Sequence, residues 1–154
     1  LLINVDAFRR VNDAYGHAAG DRLLVTVVEI LVKMVRQYDL IGRLEGDVFM
    51  LLLPGARSDG AASMAERVRR EIELKASVHA AIKNRVTVSI GVAVLGEHGD
   101  SWDALLRAAD AAAKNAKEFG RNRVQIAAAL AKPADAATGD TADPAAGESG
   151  SNKP

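Results

Sequence analysis

The sequence predicts an α+β fold, on three observations. Leu40-Ile41, the turn Glu45-Gly46-Asp47 and the run Val48 to Leu53 read as a β-hairpin, so neighbouring strands pair antiparallel. Val86 to Val94 alternates small or polar with large apolar residues, the period of a strand. Amphipathic helical stretches lie between the strands. The resulting order, β, α, α, β, β, α, β, β, α, β, packs helices on an antiparallel or mixed sheet.

The elements follow from local chemistry. Leu1 to Val5 reads as a buried strand, and the chain opens there with a strand already under way, so a piece of a longer protein is expected. Phe8 to Tyr15 reads as a short helix ended by Gly16. A longer helix is expected from Asp21 to about Val35. Its Leu23, Leu24, Val27, Ile30, Leu31 and Met34 share one face, and Asp21 complements the helix dipole. Leu51-Leu52-Leu53 is continuously apolar, as in a central strand covered on both faces, and Pro54-Gly55 ends it. Ser58 to about Leu74 is a charged amphipathic helix, and Val78 to Ile82 is offered as a strand pairing with Val86 to Val94. Ser101 can cap a helix to about Lys117, closed by Gly120, and Val124 to Ala127 reads as a last strand.

Composition bounds the function. The 154 residues suit one domain, and 49% are apolar, enough for a core. Twenty basic residues balance 20 acidic ones, so no global electrostatic case exists for nucleic acid or an anionic membrane. There is no Cys, hence neither disulfides nor thiolate metal sites. No apolar run reaches the roughly 18 residues a membrane span needs, and no signal peptide is expected among these residues. A cytoplasmic location without membrane contact is expected. Residues 1–130 form the expected domain. Residues 131–154 turn to Ala, Pro, Gly and Asp, and such a tail is expected to be disordered.

Three separated stretches carry a resemblance. Asn4-Val5-Asp6-Ala7-Phe8-Arg9 leads through Asn12-Asp13 to Gly16-His17-Ala18-Ala19-Gly20-Asp21. Arg43-Leu44-Glu45-Gly46-Asp47-Val48-Phe49 follows, then Lys117-Glu118-Phe119-Gly120-Arg121-Asn122. In this order they resemble the GGDEF domain: the opening Asp-x-Asp-x-Phe-Lys and Gly-His-x-x-Gly-Asp, the signature Arg-x-Gly-Gly-Asp/Glu-Glu-Phe and the closing Lys-x-x-Gly-Arg-Asn. The match covers about residues 1–127, without the family's opening helix. The resemblance implies a palm-like fold (ferredoxin-like, related to adenylyl cyclases) with a mostly antiparallel sheet flanked by helices. Active members are diguanylate cyclases, in which two domains join two GTP into cyclic di-GMP with metal assistance.

Position by position, the resemblance implies a kept nucleotide site and an altered metal site. Asn12 and Asp21 match the family's guanine readers, since an amide and a carboxylate can address the guanine edge; helix capping is the plain alternative. Arg9 stands at a phosphate-binding Lys, and Lys117 and Arg121 match the distal triphosphate cations. Asn4 stands where the family has its first metal Asp, and Val48 where it has the signature Glu. Of those acids Asp47 remains, with Asp6 nearby. Mg²⁺ favours carboxylates, so it is expected only if the domain is active or holds GTP. Glu45 replaces a Gly and brings negative charge beside phosphates. At ~4 Å and an effective dielectric near 20, such a pair costs about 4 kcal/mol.

Arg36-Gln37-Tyr38-Asp39 matches the family's inhibitory product site, with five residues between Asp39 and Glu45. Arg67 matches the secondary arginine of that site. Arg offers a fork of donors to phosphate or guanine, and Asp accepts from guanine N1 and N2. The leading expectation is a degenerate GGDEF domain that binds cyclic di-GMP through Arg36, Asp39 and Arg67 and regulates an attached domain or partner. The alternatives are an active diguanylate cyclase and a GTP-binding regulatory domain of a linked phosphodiesterase. A homodimer of the full-length protein and an attached sensor or effector domain go with these readings. His17, His79, His98, Trp102 and the face Arg69, Arg70, Glu71 and Glu73 read as structural or solvated.

Overall fold

A computed structural model describes residues 1–130; the tail expected over residues 131–154 lies outside the described residues. The elements are β1 (Leu2–Val5), α1 (Phe8–Tyr15), α2 (His17–Met34), β2 (Leu40–Glu45), β3 (Val48–Leu52), α3 (Ser58–His79), β4 (Val88–Val92), α4 (Trp102–Glu118) and β5 (Val124–Ile126). The strands form one sheet in the order β2-β3-β1-β4-β5. All neighbours are antiparallel except β4 and β5, which run parallel. This is the expected α+β architecture. Among the described residues no helix is long and apolar enough to cross a membrane.

The sheet is covered differently on its two faces. Ile3, Val5, Phe49, Leu51, Val88, Ile90 and Val92 point to one side, where α2 and α3 supply Leu23, Val27, Leu31, Val68 and Ile72. On the other side Leu2 meets Ala109 and Ala113 of α4. The small residues of β4 explain how α4 comes so close. A Cβ on Gly91 would lie 1.9 Å from the Ala109 carbonyl oxygen and 2.6 Å from the Ala113 nitrogen. The alternation read in Val86 to Val94 is therefore large residues toward α3 and small ones under α4.

Four expectations change. α2 begins at His17, so Asp21 sits one turn inside the helix rather than at its start. β3 alternates instead of being covered on both faces: Phe49 and Leu51 are buried, whereas Val48, Met50 and Leu52 are half-buried. α3 runs on to His79 and absorbs Val78, and the expected strand at Val78 to Ile82 does not form. The helix closes there with a Schellman pair, Ile82 N–H to Ser77 O at 2.8 Å and Ala81 N–H to Val78 O at 3.2 Å. Ala81 takes the left-handed position at φ 55 that Gly usually fills. Finally, Arg69 and Glu73 are not a solvated face; their side chains are each only 12% exposed.

Candidate functional site

Asn4 lies on β1, and Asp6 lies in the turn just past its end. Asn4 lies opposite Val48 on β3 and opposite Ser89 on β4. Its Oδ1 is buried and has no hydrogen-bond partner. The neighbouring chain is held tightly: Val5 N–H donates to the Asp47 carbonyl oxygen at 3.1 Å, which brings the half-buried Asp47 to the end of β1. Arg43 Nε donates to the Gly46 carbonyl at 2.8 Å and closes the hairpin, with a register shift between Arg43 and Glu45. Gly46 adopts φ 47, which explains the Gly at that point of the turn. Glu45 and Arg43 are exposed. The positions that the resemblance matches to metal ligands thus bring together one carboxylate, one amide and one valine.

Asp6 has the opposite surroundings. It is buried, and its carboxylate accepts three hydrogen bonds: from Thr87 Oγ1 at 2.7 Å, Ser89 Oγ at 2.7 Å and the Asn122 backbone N–H at 3.0 Å. Ser89, which faces Asn4 in register, serves Asp6 instead. The Asn122 side chain continues the network into α3. Its Nδ2 donates to Glu73 Oε1 at 2.7 Å, and its Oδ1 accepts from Arg69 Nη1 at 2.7 Å. Arg69 also donates to Glu73 and, through a two-pronged pair, to Glu66. The Arg69 hydrogen bond draws the Glu66 carboxyl down from 4.5 to about 2, and Glu66 in turn raises the Arg69 guanidinium. Arg85 closes on Glu73 from outside.

Sequence reasoning did not find this network. Spacing within α3 hints at Glu66-Arg69-Glu73, but the rest joins residues up to 116 positions apart. Backbone strain gathers at the same place. Ala7, Arg121 and Asn122 have φ of 53, 61 and 48, three of the four non-glycine residues with positive φ among the described residues. Each such residue costs about 1–2 kcal/mol unless its surroundings hold it.

Of the residues matched to guanine recognition, Asn12 lies on α1 and Asp21 on α2, two helices that pack together. Gly20 has no room for a side chain, because a Cβ would lie 1.9 Å from Asn12 Oδ1. That oxygen is buried without a partner. Asp21 is exposed, and with Arg43, Glu29 and Phe49 it lines a cavity of about 400 Å³ between α2 and the hairpin. Arg9 is exposed, 3.9 Å from Asp13 across one helical turn. Lys117 sits half-buried in the last turn of α4, and Arg121 is exposed on the turn that follows.

Arg36 and Asp39 share the turn between α2 and β2. Asp39 Oδ2 accepts the Arg36 backbone N–H at 2.8 Å, and Asp39 N–H donates to the Arg36 carbonyl at 3.1 Å. This pair of bonds orders the turn and leaves the Arg36 side chain exposed. Arg67 is exposed on α3, which packs beside α2. His98 is buried, and its Nδ1 accepts the Val94 N–H at 3.0 Å, a loop-ordering role.

Sheet order and hairpin define a palm-like α+β domain, the class the opening motifs imply. The profile of the family described as "Diguanylate cyclase, GGDEF domain" matches residues 1–123. The chain belongs to the GGDEF diguanylate cyclase family. It is 42% identical to the diguanylate cyclase DgcM of Escherichia coli over 127 residues, 82% of this chain and 30% of that protein. The chain thus spans about a third of the length of such relatives. Among solved structures, the GGDEF domain of YfiN (TpbB) from Pseudomonas aeruginosa superposes with a TM-score of 0.74 at 34% identity, covering 82% of this chain and 79% of that one. The coiled coil and GGDEF domain of DgcB from Caulobacter crescentus, in complex with c-di-GMP, gives 0.70 at 26% identity, covering 82% and 67%.

Proposed function

We propose that the domain is a cyclic di-GMP signalling module that binds this nucleotide through Arg36, Asp39 and Arg67 and regulates an attached domain or partner. The carrying observation is the register pair Asn4–Val48, with the Asn4 carbonyl buried and unpartnered beside it. Mg²⁺ asks for several oxygen ligands, carboxylates first. Here Asp47 is the one acid at the family's metal positions, and Asp6 has its oxygens committed to Thr87, Ser89 and Asn122. No group of three or more His, Asp or Glu suited to a metal occurs among the described residues. The donor set does not fit a resident Mg²⁺. The ordered Arg36–Asp39 turn, by contrast, presents a free guanidinium fork for phosphate or guanine. The solved DgcB structure holds c-di-GMP, which supports the choice of ligand. Calorimetry with cyclic di-GMP on wild type and Arg36→Ala tests the reading. Saturable binding by the wild type, weakened at least about tenfold in the variant, is expected, a loss of about 1.4 kcal/mol. A wild type that binds none overturns it.

A second reading is a GTP-binding regulatory domain using Asn12, Asp21, Arg9, Lys117 and Arg121. Its motive is the buried, unpartnered Asn12 Oδ1 beside Gly20, with Asp21 on the adjoining cavity. Greater thermal stabilisation by GTP than by cyclic di-GMP favours this reading over the first.

A further inference from the structure

We propose that Asn122 and Asp6 are positioning residues that set the turn after α4, and with it Arg121, against the β1–α1 turn for gripping the polyphosphate of a nucleoside triphosphate. The proposal rests on the GTP-binding reading. The Asp6 carboxylate accepts the Asn122 backbone N–H at 3.0 Å, so the Arg121–Asn122 peptide is fixed one bond from the residue that precedes Ala7. Arg121 and Asn122 are both left-handed, and so is Ala7, with no glycine among the three. A chain does not hold three such residues at one place unless its neighbours over-determine them. The neighbours are visible. Thr87 and Ser89 fix Asp6 from β4's side, and Arg69 and Glu73 fix both ends of the Asn122 amide from α3. Arg69 is itself oriented by Glu66.

The outcome is an exposed Arg121 on a turn braced from two sides, with the exposed Arg123 donating from Nε to the Arg121 carbonyl at 3.4 Å and Lys117 one helical turn before it on α4. A loop meant only to join α4 to β5 needs neither the left-handed pair nor a bond to β1. A preorganised turn, by contrast, presents its Arg to an anion without losing loop freedom on binding. Arg69, Glu73 and Asn122 act through Arg121 and touch no ligand themselves.

The test compares GTP and GMP affinities, with EDTA present so that the chain's own cations are read. In the wild type GTP binds about tenfold or more tightly than GMP. Asn122→Ala brings the two affinities together. In the Arg121→Ala background it causes no further loss for GTP, because the two changes remove one effect. Asn122→Gly keeps the left-handed backbone, and Arg69→Lys keeps the charge while dropping the fork. Both are expected to narrow the GTP-to-GMP ratio, and they carry the test if Asn122→Ala does not fold. Equal weakening of GTP and GMP in the variants overturns the positioning role, as does a full additional loss in the double variant. A wild type that binds GMP as well as GTP overturns phosphate recognition by this turn. A wild type that binds neither overturns the GTP-binding reading along with it.

Discussion

Asn4 on β1 and Asp6 in the turn that follows it stand two residues apart, yet their surroundings could hardly differ more. Asp6 receives three hydrogen bonds and anchors β4 and the turn before β5. Asn4 keeps a buried carbonyl with no partner and has Val48 beside it. The difference separates what the fold needs from what chemistry at the hairpin would need. A buried acceptor left unpaired costs about 1–3 kcal/mol, so such a group marks a position not optimised for stability. The fully paired one marks a position where stability and geometry are both served.

The largest effect should come from breaking the satisfied side of this contrast. Asp6→Ala strands three donors at once, and unfolding in urea should show a loss of about 3 kcal/mol or more. The opposite outcome is expected two residues earlier. Asn4→Leu removes an unpaired buried carbonyl and should be neutral or stabilising by about 1 kcal/mol in the same measurement. Equal losses at the two positions would erase the comparison.

A smaller effect lies in pH. Arg69 holds the Glu66 carboxyl down to about 2 from 4.5. The ionised form is favoured in the folded state, so its stabilisation is complete above about pH 4.5 and fades as pH falls toward 2. The Glu66 side chain is 38% exposed. Solvent screening therefore trims the effect to about 1 kcal/mol or less. Comparing acid unfolding of wild type and Glu66→Gln should show the difference shrinking through that window; a constant difference would detach Glu66 from the network. Smallest of all is the structural effect at the ligand turn. Arg36→Ala leaves an exposed side chain's place empty and should shift stability by less than about 0.5 kcal/mol, since the bonds that order the turn use backbone and Asp39. A larger loss on thermal melting would make Arg36 structural rather than ligand-facing.

Local signals made much of the fold legible. Phe8–Tyr15 with Gly16 behind it, the hairpin around Gly46, and the Ser101 cap, which accepts the Ala104 N–H at 3.4 Å, follow from short-range chemistry. The start of α2 was hidden because Gly16 and Gly20 bracket it and suggest a loop. Gly20 in fact lies inside the helix, where it makes room for Asn12. The end of α3 was hidden because Ala81 fills a place where glycine is the usual sign. Asn4 on β1 and Glu45 and Val48 at the hairpin could be read directly, since each is a single position within a motif. The Asp6–Asn122 network could not, because it joins β1, β4, α3 and the last turn across the whole domain.

The proposed function makes the hairpin from Arg43 to Phe49 a retained scaffold, with Val48 in the hairpin and Asn4 on the adjoining β1 in place of metal-binding acids. The most direct measurement is formation of cyclic di-GMP from GTP with Mg²⁺ or Mn²⁺ by a dimeric form of the protein, wild type beside the triple variant Asn4→Asp, Glu45→Gly, Val48→Glu. No turnover by the wild type and detectable product from the variant are expected. Turnover by the wild type, or a variant that stays silent, would contradict that reading.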